Sequence, residues 1–567
     1  MSAPTAVLGL CAFVHDSATA LIVDGVLVGF VEEERLNGDK HSRLYPEFGV
    51  AWALDQAGLG PGDINAVGYH LDGDRFLGAI PATVPMLFDR SAAGLVLPRM
   101  RSLAVVHRRF RARMGLLAER FPNAEVRPVL HHRAHGLYAF TASGFERAAV
   151  LVVDSLGERQ ATTIAAADGN GWHLRWAQDD PASLGYAYGA VTMHLGWRRG
   201  DEEGTVMALA ATGDPARFGP VLKRAIAITD GGIRLNHSLL SLRVLSSKYP
   251  RTTVRFADLT CRPRSAGESV EQVHADLAAA LQERTEQAMM HLARLAKKVT
   301  GSNLLVLGGG VAANCVAAGR IVRSGLFDEV FVPPAPGDSG TAIGAGLAVW
   351  ADTRGGPVSG AKGTCYLGPS YPAWPLADEP RPGMRAHTPE KPARFLAEQL
   401  ADGKIVGVFQ GRLEAGPRAL GHRSILASPL AFGVVDRLNA TVKFREPFRP
   451  FAPIVPADRA EQYFTLGQPA PFMSFAPTVT DLARRTVPAI VHANGTSRMQ
   501  TLTAASEPFI AEVLDEFEKI TGVPILINTS LNVKGKPICG TPDMALDCLA
   551  ETGLDALLLE GRWVVKS

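Results

Sequence analysis

Two imidazoles stand four residues apart in His131-His132-Arg133-Ala134-His135. Positions i and i+4 share one face of a helix, so His131 and His135 can reach the same metal ion, although most such pairs are incidental. The zinc-peptidase pattern needs Glu after the first histidine; His132 stands there, which excludes that protease chemistry. Two imidazoles leave a divalent cation short of ligands. Asp154, closing the apolar run 149–153, and Asp338, in Pro336-Gly337-Asp338-Ser339-Gly340, are the carboxylate candidates. Two His and two Asp make a nitrogen/oxygen set for iron, manganese or zinc, among which the sequence does not choose. His15, beside Asp16 in a polar break, is a candidate general base, because neutral imidazole accepts a hydroxyl proton near pH 7. The bland alternative is a hydrogen-bonded loop histidine.

Other residues have the chemistry of anion binding. Gly308-Gly309-Gly310-Val311-Ala312-Ala313-Asn314 joins an apolar run to a helix-like stretch. Glycines let a ligand approach the backbone, and a helix start offers unpaired N–H groups to an anion, yet such turns often serve packing alone. Further along, Arg412, Arg418 and Arg423 lie among glycines, Lys443, Arg445 and Arg449 among prolines and phenylalanines, then Arg498 and Asn528-Thr529-Ser530. Arginine forks bind phosphate bidentately, and Ser and Asn complete an anion pocket. A solvated basic face is the alternative; the Gly/Pro punctuation favours a pocket for a small phosphorylated ligand. Glu32-Glu33-Glu34-Arg35 with Lys40-His41 is compatible with a merely solvated charged segment.

The elements positioning these residues read as α/β. Residues 7–10 form an apolar strand, followed by runs 20–23 and 26–31 around Asp24-Gly25, a hairpin signal because both turn positions take φ > 0. The pattern recurs: run 149–153, an acidic break at 154–158, run 161–165, a turn at Asp168-Gly169-Asn170-Gly171, and a run from Trp172. A duplicated α/β body holding a nucleotide between its halves is expected. Residues 270–299 read as a packed amphipathic helix capped by Ser269, and 305–307 and 329–332 as strands. Glycine and proline accumulate over 353–392, the expected connector, and Lys404 opens a second α/β domain.

At 567 residues the chain has room for two to four domains. Lys+Arg 58 against Asp+Glu 56 leaves no global basic field for nucleic acid or membrane. No apolar run approaches the roughly 18 residues of a membrane span, and Met1-Ser2-Ala3-Pro4 lacks the basic start of a secretory signal. Six scattered cysteines without C-x-x-C argue against a zinc ribbon or disulfide framework and for a reducing cytoplasm.

Taken in order, His15-Asp16-Ser17-Ala18, Glu32-Glu33-Glu34-Arg35, Lys40-His41, the 131–135 histidines, Val153-Asp154, the 308–314 loop, the Asp338 loop, Gly416-Pro417-Arg418-Ala419-Leu420-Gly421, Arg449-Pro450-Phe451-Ala452-Pro453 and Asn528-Thr529-Ser530 resemble the O-carbamoyltransferases of the NodU/CmcH type, which include antibiotic-tailoring members. The resemblance implies a duplicated actin-like ATPase-fold domain over 1–355, a linker over 356–392 and a YrdC-like domain over 393–567. It implies that carbamoyl phosphate is hydrolysed to carbamate, that ATP with Mg activates carbamate as carbamoyl-adenylate, and that the carbamoyl group passes to a hydroxyl of a small natural product. His131, His135, Asp154 and Asp338 would hold an iron-type metal, Fe(II) first with Mn or Zn as alternatives. His15 would be the base. Lys40, Gly309, Gly310 and Asn314 would contact the nucleotide, and Arg418, Lys443, Arg449, Arg498, Asn528 and Ser530 would grip carbamoyl phosphate and ATP phosphates. Members commonly read Gly-Lys-x-Met-Gly-Leu-Ala where this chain has Gly204-Thr205-Val206-Met207-Ala208-Leu209-Ala210, so a cation is missing at Thr205, with Trp197-Arg198-Arg199 as the nearby substitute. Residues 36–39 are also less basic than usual. Rival readings are a tRNA threonylcarbamoyl-transfer enzyme, disfavoured by the near-zero charge, and a non-catalytic nucleotide- and metal-binding module. The acceptor and the oligomeric state, a homodimer being one option, are not readable.

Overall fold

Apolar strands and glycine turns organise the chain into two units in the computed structural model, which describes residues 4–169, 171–246, 248–372, 374–375 and 377–567. Asn170 of the predicted turn and residues 1–3 lie outside the described residues. The first unit comprises Met1–His15, Thr19–Val28 and Ala53–Gly363; the second comprises Asp16–Ala18, Gly29–Trp52 and Thr364–Ser567.

In the first unit, Ala6–Cys11 is buried along its whole length. The strands Ala18–Val23 and Val26–Glu32 are joined by Asp24 (φ 48°) and Gly25 (φ 78°), the left-handed pair the Asp-Gly step predicts. Their sheet runs Val26–Glu32, Ala18–Val23, Ala6–Cys11, Ala66–Tyr69, Glu125–Pro128. A second sheet runs Gly171–Asp179, Gln160–Asp168, Arg147–Val153, Leu304–Gly308, Glu329–Phe331, so the two sheets have the same sequence of hairpin strands, central strand and later crossover strands. Leu277, Leu281, Ala288, Leu292 and Ala296, all fully buried, place one face of the helix Gln272–Thr300 in the core. That helix starts later than Ser269: Glu271 is its N-cap, because the His274 ring nitrogen Nδ1 accepts the Glu271 N–H at 2.9 Å.

The second unit is built on an eight-stranded mixed sheet in the order Met384–His387, Arg562–Lys566, Ala556–Leu559, Val406–Phe409, Arg423–Ala427, Leu526–Ser530, Ala452–Pro456, Gln500–Leu502. The helices Pro392–Ala401 and Pro508–Thr521 contribute Leu396, Leu400, Val513, Leu514 and Phe517 to a core with Val406, Leu426, Ile454, Leu526 and Leu558. Glu32, Glu33, Glu34 and Arg35 belong here and are buried, which corrects the solvated reading of that run. Glu32 Oε1 accepts from Gly416 N (2.8 Å), Arg35 donates to Gly416 O (2.8 Å), and Glu33 accepts from Phe48 N and Gly49 N (3.1 and 2.8 Å). Backbone partners and the Glu34–Arg35 ion pair (2.8 Å) satisfy groups that composition alone assigns to water. All six cysteines are free, and among the described residues no helix is long and apolar enough to cross a membrane.

Candidate functional site

His131 and His135 open the helix His131–Ser143, and Asp154 follows the strand Arg147–Val153. Asp338 begins the turn Asp338–Gly340 that leads into the helix Thr341–Thr353. These three elements bring one donor atom from each of the four residues within 4.8 Å of all the others. His131 Nε2 lies 3.1 Å from His135 Nε2, 3.5 Å from Asp154 Oδ2 and 3.6 Å from Asp338 Oδ1, and His135 Nε2 lies 3.7 Å from Asp338 Oδ1. A coordination shell of radius about 2.1 Å puts neighbouring ligands about 3.0–3.4 Å apart, so the spacing suits one cation. His131 Nδ1 faces the His70 carbonyl at 3.2 Å, which turns Nε2 toward the donor set.

The electrostatics also fit a cation. Burial opposes charge on His131, yet Asp338 and Asp154 raise its pKa well above the ordinary imidazole value. Burial likewise opposes ionisation of Asp338, but His15 and His131 hold it well below the carboxylate range. The raised His131 pKa reflects uncompensated carboxylate charge beside it, which a divalent cation would offset in place of a proton. His15, on a loop bent by Phe13 (φ 65°), places Nε2 3.5 Å from Asp338 Oδ2 while keeping its side chain 42% exposed. It therefore stands beside the donor set and open to a substrate.

Gly309 (φ 86°) follows the strand Leu304–Gly308, and a Cβ there would lie 2.4 Å from the Val153 carbonyl. Gly310 donates its N–H to Asp154 Oδ1 at 2.9 Å, tying the glycine loop to the donor set. Asn314 caps the helix Cys315–Arg323 through Ala317 N (3.0 Å) and donates to Gln282 (2.9 Å), so its amide is engaged within the fold. Lys40 belongs to the second unit, and these three residues belong to the first.

In the second unit, Lys443 is buried and donates to Ser530 Oγ (3.2 Å), Asn532 Oδ1 (2.7 Å) and the Ser530 carbonyl. Burial, with Arg445 and Arg449 nearby, lowers its pKa to about 7. Burial and repulsion from Arg449 and Arg498 lower Arg445 to about 9, so Lys443, Arg445, Arg449 and Arg498 form one cationic group. Asn528 donates to Gln500 Oε1 (2.8 Å) and to the carbonyl of Ala419 (3.2 Å), the residue after half-buried Arg418, while its own Oδ1 is buried without a partner among the described residues. Arg412 and Arg423, grouped with Arg418 by sequence, instead clamp backbone carbonyls of residues 367–369 and 410–411. Sequence reasoning missed Asn532 and the His70 carbonyl, whose roles depend on long-range approach, and grouped Arg445 with the other 443–449 cations without giving it a role of its own.

The carbamoyltransferase N-terminus family model matches residues 6–347, and the carbamoyltransferase C-terminus model matches residues 397–566. An uncharacterized protein of Synechocystis is 34% identical over 99% of this chain and 97% of its own length. Nodulation protein NolNO of Sinorhizobium fredii is 34% identical over 98% of this chain and 79% of its own, and nodulation protein U of Rhizobium tropici is 30% identical over 94% and 92%. With both family regions present in order and two of these relatives aligned over more than nine-tenths of both chains, the chain belongs to the carbamoyltransferase family.

Proposed function

We propose that this carbamoyltransferase is an ATP-dependent O-carbamoyltransferase with an actin-like first unit and a YrdC-like second unit, acting on a hydroxyl of a small natural product such as an antibiotic. In the second unit Arg418, Lys443, Arg449, Arg498, Asn528 and Ser530 bind carbamoyl phosphate and the phosphates of ATP. Water releases phosphate to leave carbamate, and carbamate oxygen displaces pyrophosphate from ATP to give carbamoyl-adenylate. In the first unit His15 takes the acceptor's proton as its oxygen bonds to the carbamoyl carbon and AMP departs. His131, His135, Asp154 and Asp338 would hold a divalent metal, Fe(II) by preference, whose Lewis acidity would stabilise negative charge on the departing phosphate. The observation that carries this reading is the convergence of four metal-type donors beside an accessible imidazole in a carbamoyltransferase.

The test follows AMP, pyrophosphate and phosphate release from ATP and carbamoyl phosphate. His131→Ala is expected to lose bound metal and to cut transfer by at least about a hundredfold, while phosphate release from carbamoyl phosphate survives. Equal loss of both activities, or absence of AMP formation by the wild type, overturns the reading.

A further inference from the structure

Close to the first unit's donor set, one face of the helix Leu184–His194 gathers arginines that the proposed chemistry does not use. Arg243 lies over the Tyr186 ring, 4.5 Å from its centroid, and Arg251 lies 5.7 Å from the same ring. The stem of Arg199 crosses Gly189, one turn further along, so closely that a Cβ at Gly189 would lie 2.6 Å from it. Arg243 donates to Ser155 Oγ at 3.3 Å, and Ser183, the N-cap of this helix, donates to the carbonyls of Asp154 (3.1 Å) and Ser155 (2.7 Å). Arg243 therefore adjoins the loop that carries a metal-type ligand, and it shares the Tyr186 ring with Arg251.

Their charge is not balanced. Asp180, fully buried, is shared between Arg99 and Arg243. Arg251 spends its terminal nitrogens on the carbonyls of Val244 and Ser246 (2.7 and 2.8 Å), and its Nε, like that of Arg243, is buried with no acceptor among the described residues. Arg199 is exposed and has no hydrogen bond or ion pair among the described residues. Partial desolvation and repulsion from Arg251 and Arg243 lower it to about 10. Glu203, also beside Gly189, feels both Arg199 and His15, which sets the group on the side of the candidate base. Guanidiniums held together without matching carboxylates are costly unless an anion joins them.

We propose that Arg199, Arg243 and Arg251 form an oxyanion subsite that takes a carboxylate, sulfate or phosphate carried by the carbamoyl acceptor. This rests on the reading of the first unit as the place of transfer: an anionic group held at the arginines would present a hydroxyl of the same molecule toward His15. The same chemistry could be met by a nucleotide phosphate, so the test separates the two. Calorimetric titration of the full chain uses glucuronate, a hydroxyl-bearing carboxylate, with glucose as its neutral counterpart, and AMP. Glucuronate is expected to bind the wild type and to lose about tenfold or more in affinity in Arg199→Gln and Arg251→Gln, with AMP unchanged and glucose giving no measurable heat. Arg199 is exposed, so its variant does not depend on refilling a core. Loss confined to AMP overturns the assignment to the acceptor, and equal glucuronate binding by wild type and both variants overturns the subsite. Because binding is read without turnover, a failed transfer reaction leaves this outcome distinguishable.

Discussion

Lys443 shows how one residue's environment sets a function. A lysine ordinarily keeps its proton past pH 10, but burial and neighbouring guanidiniums bring this one to about 7. Above that pH the amine is neutral before an anion arrives, and an arriving phosphate favours the charged form. Binding of carbamoyl phosphate above pH 7 is therefore expected to take up a proton, seen as a heat that varies with the ionisation enthalpy of the buffer. KM for carbamoyl phosphate should climb by up to about tenfold per pH unit above 7, and Lys443→Arg, which stays charged, should flatten that climb. A pH-independent KM in the wild type contradicts Lys443 as a phosphate ligand. Residue type made this position visible in the sequence, but not its pKa, which comes from burial and from Arg445 and Arg449 beside it. The histidines were more legible, since i,i+4 spacing survives in any helix. Asp154 and Asp338 were candidates by their places at a strand end and in a glycine turn, but no spacing in the sequence fixes their approach to the histidines.

What brings them together is contact between elements. The helices His131–Ser143 and Thr341–Thr353 touch through backbone: a Cβ on Gly344 would sit 1.8 Å from the Ala134 carbonyl. Asp338 precedes the second helix by one turn, so the separation of the two helices fixes the distance from its carboxylate to the imidazoles. Gly344→Ala should force the helices apart, costing about 1–3 kcal/mol of stability and lowering metal affinity at least about tenfold, read by thermal denaturation and metal analysis of the purified chain. Gly115, in the helix Ala93–Arg120 with nothing near its missing Cβ, is the control: Gly115→Ala should be neutral or stabilise by up to about 1 kcal/mol. Unchanged metal content in Gly344→Ala would mean that helix spacing does not set the site. The existence of these elements was legible from apolar runs and from Asp24-Gly25, whose turn needs left-handed residues. The start of the helix Gln272–Thr300 was not, because a histidine ring rather than a serine hydroxyl takes the first N–H.

At the scale of the whole molecule, the chain order and the folded units differ. A Gly/Pro-rich stretch marks a connector by composition, but nothing local reports that residues 29–52 return to pack with residues beyond 364. A run of three glutamates and an arginine looks solvated until its backbone partners are known. If Arg418 binds phosphate as proposed, those partners bear on function, since Glu32 and Arg35 hold the N–H and the carbonyl of Gly416, two residues before Arg418. Buried groups stripped of such partners cost about 1–3 kcal/mol each. A chain beginning at Thr364 should therefore unfold at a lower urea midpoint than one in which residues 29–52 are joined to it by a flexible linker, and should bind carbamoyl phosphate more weakly because the Arg418 loop is no longer held. If the two chains have equal midpoints and affinities, the early segment only decorates the second unit. If they differ as expected, the phosphate site depends on residues more than three hundred positions away, and a cut at the connector separates it from its own support.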